Sequence, residues 1–404
     1  MIAERHGLRL WRARALHEVA TVEFTVTQAV DGLYRACVAA VQAGAAGLVA
    51  AVDLHLSALH GVRFETAEAI AAGYRSVDAS TRLGLRAQAG FGWVCLAHAH
   101  AVAGRRADTE AAAVRARQLS SGAELEAYLW GQCLAMLSLV EEDRPRALAE
   151  LARSMEYVRT GEPVSVAQCR GLWPLLATLD GTAEAGAAAR AESGTPDVLT
   201  HTVPRGLMAY AEAVAAGRSG DTAAAEAAYR RGEAEFAHLE LPQGHHQLGR
   251  RLVAEAALAD GWGDPVEWLT QARAWFTDRG LHHVAAACGG LLRRAGVPQR
   301  RHGRGDTTVP QTLARFGVTS READVLALLA QGLANQAIAD RLYLAPRTVK
   351  THVEHLLAKT GRTSRVQLAA LAIAEGLGPA APAEGPGSAG GTQPGPRDRP
   401  SAVG

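Results

Sequence analysis

Apolar residues recur at helical spacing through most of residues 8–295, where short polar or glycine-rich turns separate one helix from the next. Markers of these turns fall 35 to 43 residues apart, namely Thr66, Asp108, Asp143, Asp180, Asp221 and Asp264. This spacing predicts antiparallel helix pairs stacked as a tetratricopeptide-like α-solenoid, because a single pair is too small to bury its own apolar face. A non-repetitive helical domain is the alternative.

A second run of helical spacing, from residue 318 to residue 376, predicts four short helices. The starts of these helices are marked by Thr319, Asn335, Pro346 and Ser364. The first start is the strongest, because Thr319 and Glu322 have the spacing of a capping box.

The third of these helices has two contrasting faces. Its apolar residues follow i, i+4, i+7, i+8 spacing and must face inward, and they are Val349, Val353, Leu356 and Leu357. The outer face then holds Arg347, Lys350, Thr351, Glu354 and Ala358. Two short helices joined by a tight turn, the second with a polar and basic outer face, predict a helix-turn-helix whose second helix fits the DNA major groove. A small helical domain with a solvated charged face is the alternative.

Two breaks in composition divide the chain. Residues 296–311 are rich in Gly, Pro and charge, and residues 378–404 contain seven Gly and six Pro, too many for a buried core. We therefore expect an all-α protein in four parts. These are a helical solenoid for sensing or interaction (1–295), a basic linker (296–311), a four-helix DNA-binding domain (312–377) and a disordered tail (378–404).

Charge is distributed unevenly between these parts. Residues 293–376 contain 13 Arg and Lys against 6 Asp and Glu, whereas residues 1–292 contain 27 against 33. A basic segment beside an acidic body indicates nucleic-acid contact through the basic end.

Several classes of function find no support in the sequence. Lys350 and Lys359 are the only lysines, so no Gly-x-x-x-x-Gly-Lys phosphate loop exists in the chain. No Gly-x-Ser-x-Gly elbow occurs, and the paired histidines do not share a helix face as metal ligands would. The five scattered cysteines indicate free thiols, and no signal peptide or run of 18 apolar residues is present. We expect a cytoplasmic protein with no enzymatic activity, cofactor, metal or membrane contact.

The block from residue 318 resembles the LuxR-type DNA-binding domain. The stretches TSREADVLALLAQGLANQAIADRL and RTVKTHVEHLLAKTG follow that family's signature. The resemblance implies DNA contacts by Lys350, Thr351 and Glu354 at bases, by Arg347 and Thr348 at phosphates, and by Asn335, Lys359 and Arg365 as further residues. It also implies that the fourth helix pairs two copies of the chain.

This sequence departs from the family pattern at two positions. Ala345 stands where the family usually has Ser or Thr, which weakens the cap of the third helix by about 1 kcal/mol, partly offset by Pro346. Glu354 stands where relatives often have a basic or polar residue, so the preferred DNA sequence is in question rather than the fold.

The upstream region resembles the C-terminal helical half of the large ATP-binding LuxR regulators, the MalT-like group, in stretches such as LWRARALHEVAT and RRLVAEAALADGWGDPVEWL. Full members begin with an ATP-binding module. The resemblance therefore implies either a short form or the C-terminal part of a longer regulator that lacks its nucleotide-binding module here.

The expected function is regulation of transcription through binding to double-stranded DNA as a homodimer, with RNA polymerase as a candidate contact. The helical region would sense an effector of unknown identity, either a small molecule or a protein partner. Two alternatives remain open: the helical region is chiefly a protein-interaction scaffold, or the chain derives from an ATP-dependent signal-transducing regulator.

Overall fold

The computed structural model describes residues 6–160, 167–240, 244–297, 309–342 and 344–377, and within these ranges it contains helices and turns but no strand. The all-α prediction is confirmed. The chain divides into two compact units, residues 1–299 and residues 300–404. Within the described ranges, no helix combines the length and the apolar character needed to cross a bilayer.

The first unit consists of helices in close succession. They are α1 (Arg9–Thr27), α2 (Asp31–Gln42), α3 (Ala46–Val62), α4 (Thr66–Arg82), α5 (Arg86–Val102), α6 (Arg106–Leu119), α7 (Ala123–Ala127), α8 (Ala135–Val140), α9 (Arg144–Val158), α10 (Ala167–Asp180), α11 (Ala183–Ser193), α12 (Pro196–Leu199), α13 (Thr202–Arg218), α14 (Thr222–Phe236), α15 (Gly244–Asp260), α16 (Pro265–Asp278) and α17 (His282–Arg294). A π-helical segment, Tyr128–Leu134, joins α7 to α8 without a break.

Three-residue turns join many consecutive helices of this unit, and the middle residue of each turn has a left-handed backbone. These middle residues are Gly44, Phe64, Gly84, Gly104, Glu142, Gly220 and Gly280, with φ between 60° and 85°. After Gly84, for example, the backbone N–H of Leu85 donates to the carbonyl oxygen of Ser80 at 2.8 Å and closes the end of α4. The tetratricopeptide-like repeat stays a prediction, because tight turns between packed helices also occur in non-repetitive helical domains.

Early helices of the first unit contact late ones. Arg63, in the turn after α3, donates to the carbonyl oxygen of Gln28 at 3.0 Å and to the carboxylate of Glu240 at 3.1 Å. The hydroxyl of Thr202, at the start of α13, donates to the carbonyl oxygen of Val26 at 2.8 Å. Helices from these distant parts of the unit line a cavity of about 500 Å³, here called the interior cavity, which is partly open to solvent.

The described part of the second unit contains five helices around a core of its own. They are α18 (Gln311–Ala314), α19 (Ser320–Ala330), α20 (Asn335–Leu342), α21 (Pro346–Thr360) and α22 (Arg365–Ala374). Its most buried apolar side chains include Leu313, Val325, Leu329, Ile338, Val349, Leu356 and Leu368. Most of the predicted linker (residues 298–308) and the whole predicted tail (378–404) lie outside the described residues.

Candidate nucleic-acid interface

The start of α19 is fixed by a reciprocal pair of hydrogen bonds. The backbone N–H of Thr319 donates to the Glu322 carboxylate at 2.8 Å, and the backbone N–H of Glu322 donates to the Thr319 hydroxyl at 3.3 Å. The predicted capping box is therefore present. It holds α19 in place as the scaffold against which α20 and α21 pack.

Helix α21 is oriented by its apolar face. Val349 and Leu356 are fully buried, and Val353 and Leu357 are half-buried against the same core. The helix begins at Pro346, and Ala345 makes no side-chain capping bond. The inward face that the sequence predicts is confirmed, and this packing determines which residues of α21 face solvent.

The outer face of α21 is polar and open to solvent. Arg347, Lys350, Thr351 and Glu354 are exposed, and Thr348 is half-buried. Lys350 Nζ lies 3.9 Å from Glu354 Oε1, with the two side chains 70% and 59% exposed. An exposed ion pair at this separation contributes at most a few tenths of a kcal/mol to the stability of the helix. Lys350 and Glu354 can therefore each leave this pair for a stronger partner.

Lys359 is placed differently from the other predicted contact residues. Its ammonium donates to both carboxylate oxygens of Glu322, at 2.9 and 2.6 Å, and to the carbonyl oxygen of Gly317 at 2.8 Å. Burial raises the pKa of Glu322, but hydrogen bonds from Lys359 and Thr319 outweigh it and leave that pKa below its usual value. Lys359 thus ties the end of α21 to the start of α19, and its contact with DNA stays a prediction.

Asn335 and Arg365 meet each other across the domain. The Arg365 guanidinium donates to the Asn335 side-chain oxygen at 2.6 Å and also to the carbonyl oxygen of Leu333. The sequence predicts Asn335 as the N-cap of α20, but Asn335 is the first residue of the helix, because the carbonyl oxygen of Ala334 accepts the first helical bond, from Ile338 at 2.9 Å. The bond between Arg365 and Asn335 connects α20 to the start of α22. The pair stiffens the turn before α20, and a DNA contact by either residue stays a prediction.

Basic residues beyond the predicted contacts also lie on the surface of this unit, two of them beside α20 and α21. Arg341 in the last turn of α20 and Arg362 after α21 are exposed, and neither was among the predicted contact residues. Their only signal in the sequence is membership of the basic block, because no local spacing marks them. Both guanidinium groups add to the positive charge of the second unit.

Replacing Lys359 with methionine should lower the free energy of unfolding of the second unit by about 1–3 kcal/mol, because a nearly buried carboxylate would lose its ammonium partner. The pKa of Glu322 is lower in the folded protein than in the unfolded chain. The ionised carboxylate therefore contributes its full stability at pH values above the unfolded pKa. This stability is lost as the pH falls through the folded pKa, and the gap between parent and variant should narrow over that range.

Hydrogen exchange of backbone amides in residues 319–360, followed in increasing denaturant, measures this effect in the full chain. Lys350→Met is the matched control, since it removes the only other lysine from an exposed position. Equal losses of protection in the two variants would contradict a structural role for Lys359.

The comparison with known families addresses this unit directly. Residues 317–372 match the family described as bacterial regulatory proteins, luxR family. The second unit carries a LuxR-family helix-turn-helix domain. Helix α21 is the second helix of that motif, so its polar outer face is the face that the sequence predicts to meet DNA.

Curated relatives match limited parts of the chain. An HTH-type transcriptional regulator of Mycobacterium bovis is 33% identical over 135 residues, which cover 31% of this chain and 15% of the relative. The DNA-binding transcriptional activator DevR/DosR of Mycobacterium tuberculosis is 50% identical over 56 residues, 14% of this chain and 26% of that protein. The nitrate/nitrite response regulator protein NarL of Escherichia coli is 52% identical over 52 residues, 13% of this chain and 24% of that protein. The chain thus spans about a quarter or less of these relatives' lengths.

Proposed function

We propose that this protein regulates transcription by binding double-stranded DNA through the outer face of α21. The observation that carries the proposal is the division of α21 within a LuxR-family domain: one face is buried in the core, and the other presents Arg347, Lys350, Thr351 and Glu354 to solvent. A helix about 10–12 Å across fits the major groove, where each base pair shows a distinct set of donors and acceptors.

Four of the residues predicted to contact DNA divide by chemistry into two groups. Arg347 and Thr348 lie in the first turn of α21, where a guanidinium and a hydroxyl suit phosphate oxygens. Lys350 and Glu354 lie one turn apart further along the helix. An ammonium suits the N7 and O6 acceptors of guanine, and a carboxylate suits the N4 amino donor of cytosine.

Binding of the full chain to a random-sequence duplex at two salt concentrations tests the proposal. A basic surface that neutralises phosphates releases counterions, so the affinity should fall steeply between 50 and 200 mM salt, roughly as a power of the salt concentration. Salt-independent binding, or no binding at low salt, would contradict the proposal.

Replacing Glu354 with glutamine should strengthen binding to random duplex and relax the preferred sequence. The carboxylate repels phosphates wherever it finds no cytosine amino group, and the amide removes that repulsion at nearly the same size. Selection from randomised DNA with parent and variant measures the change. If the variant selects the same sequence as the parent and binds random duplex no more tightly, Glu354 does not read bases. Its only remaining role is then the exposed ion pair with Lys350.

We also propose that the regulator acts as a homodimer through α22. Leu368 is fully buried in this helix, whereas Val366 and Ile373 are 77% and 58% exposed. Residues seven apart share one helix face, so these two side chains and the exposed Ala370 between them form one apolar strip, here called the α22 strip. A strip on this small domain suits burial against a second copy bound at a two-fold related half-site.

The first unit is proposed to sense an effector, either a small molecule or a protein, and to couple it to DNA binding. The interior cavity favours a small molecule over a purely scaffolding role. The cytoplasm is the proposed location, and contact with RNA polymerase and origin from an ATP-dependent regulator stay candidates. This function requires neither catalysis nor a cofactor.

A further inference from the structure

The interior cavity of the first unit is built from parts of the chain that are far apart in sequence. Its lining comes from α1, α3, α5, the segment from α7 through the π-helix, and the start of α13. Half of the lining side chains are apolar, including Phe24, Leu54, Phe91 and Val94. A volume of about 500 Å³ lies within the range of pockets that hold drug-sized ligands.

Four polar side chains on this lining have atoms without a hydrogen-bond partner. Among the residues that the structure describes, they are Gln28 at the end of α1, Gln88 and His98 in α5, and Gln132 in the π-helical segment. Gln28, His98 and Gln132 are 3%, 1% and 8% exposed, so bulk water does not solvate them freely. An unpartnered buried polar group costs about 1–3 kcal/mol, so a molecule in the cavity towards which these side chains rotate would recover part of that cost.

The backbone is unusual at two of these polar positions. Gln28 ends α1 in a left-handed conformation, with φ of 56°, a place normally taken by Gly or Asn. Gln132 lies within the π-helical segment, together with the lining residue Tyr128. Both features cost energy that regular helix would save, and such irregularities concentrate at functional sites.

The charge of the lining restricts the ligand. The lining residues include no Arg or Lys, and its only carboxylate is that of Glu124. Burial, helped by the neighbouring His245, lowers the pKa of His98 to about 3, and burial next to His17 lowers that of His55 to about 4. Both imidazoles are neutral at physiological pH, so neither His55 nor His98 offers an anion a charged partner.

We propose that the cavity binds an uncharged, largely apolar small molecule that carries at least one hydrogen-bonding group, held by the amides of Gln28, Gln88 and Gln132. This deepens the proposed sensing role and rests on it, since a ligand matters to regulation only if the chain binds DNA. Phe24, Phe91 and Tyr128 place aromatic rings in the lining, and aromatic rings stack favourably with a flat ring system.

A fluorescence titration of the full chain with Prodan, an uncharged naphthalene ketone, tests the proposal. We expect saturable, blue-shifted emission with one site per chain and only weak binding of the anionic dye 8-anilinonaphthalene-1-sulfonate. Ala58→Phe fills part of the cavity and should weaken Prodan binding by about tenfold or more. The matched control Ala111→Phe adds the same ring at an exposed site of α6 and should leave binding unchanged.

Gln132→Leu keeps the size of the side chain and removes only the amide. It should weaken binding of Prodan about fivefold to tenfold. Binding of 2-(dimethylamino)naphthalene, which lacks the ketone, should stay the same or become tighter. Equal effects of Ala58→Phe and Ala111→Phe, equal effects of Gln132→Leu on the two dyes, or tighter binding of the anion would each overturn the proposal.

Binding of Ala58→Phe to a DNA duplex is measured in a separate experiment without dye. If neither the parent nor the variants bind DNA, the proposed function is wrong, but the ligand site shown by the dye titration is unaffected.

Discussion

Replacing Lys350 with alanine is expected to weaken binding to the preferred DNA site by about 1–3 kcal/mol, or roughly 5- to 150-fold in Kd, as for loss of one good base contact. The side chain is 70% exposed on the outer face of α21, and the ion-pair partner that the described residues provide, Glu354, lies 3.9 Å away. The ammonium is therefore available to a base without breaking a contact that holds the domain together. Competition binding at fixed salt, on the selected site and on random duplex, measures the loss.

Arg347→Ala is the matched comparison on the same face of α21. A phosphate contact carries no sequence information, so this change should weaken specific and random DNA by similar factors and reduce the salt dependence. Lys350→Ala should instead weaken the specific site more than random DNA. If Lys350→Ala weakens binding to the specific site and to random DNA by the same factor, Lys350 contacts phosphate and does not read bases.

Introducing a charge on the α22 strip is expected to abolish cooperative binding to a palindromic site. Val366→Glu or Ile373→Glu places a carboxylate where two apolar surfaces would meet, and the cost of burying it removes most of the gain from pairing. Binding to the palindrome should fall by about tenfold or more, while binding to an isolated half-site should be unchanged. Both side chains are exposed in the single chain, so neither change disturbs the core.

Two controls separate pairing from folding and from charge. Leu368→Ala empties a fully buried position of the same helix and should lower stability by about 2–5 kcal/mol, with losses on both DNAs. Gln367→Glu adds a carboxylate beside the α22 strip and keeps the side-chain oxygen that accepts from the backbone N–H of Thr363 at 2.9 Å. Equal loss on palindrome and half-site in Val366→Glu would contradict the pairing role of α22.

The local features of the second unit could be predicted because short spacings determine them. The capping box of α19 needs only Thr319 and Glu322, and the two faces of α21 follow from helical geometry. The sequence shows the large apolar residues of α22, Val366, Leu368, Leu371 and Ile373, but not which of them are buried, because burial depends on how α22 packs against α19 and α21. The structure shows that Leu368 is buried and that Val366 and Ile373 are exposed.

The remaining features depend on contacts between distant residues. Lys359 meets Glu322 across 37 positions and Arg365 meets Asn335 across 30, so no local pattern reveals that these predicted DNA contacts have partners inside the domain. The cavity was equally hidden, because its glutamines lie in helices separated by tens of residues. These features could not be predicted because the residues that form them are far apart in the sequence. Weak helix propensity was not the reason.

Selection of bound DNA by the full chain from a randomised duplex pool tests the central claim most directly. The account predicts enrichment of one two-fold symmetric sequence, with half-sites about one helical turn apart, and its disappearance with Lys350→Ala. A pool that stays random after repeated rounds, or an enriched sequence that Lys350→Ala selects equally well, would contradict sequence-specific recognition by α21.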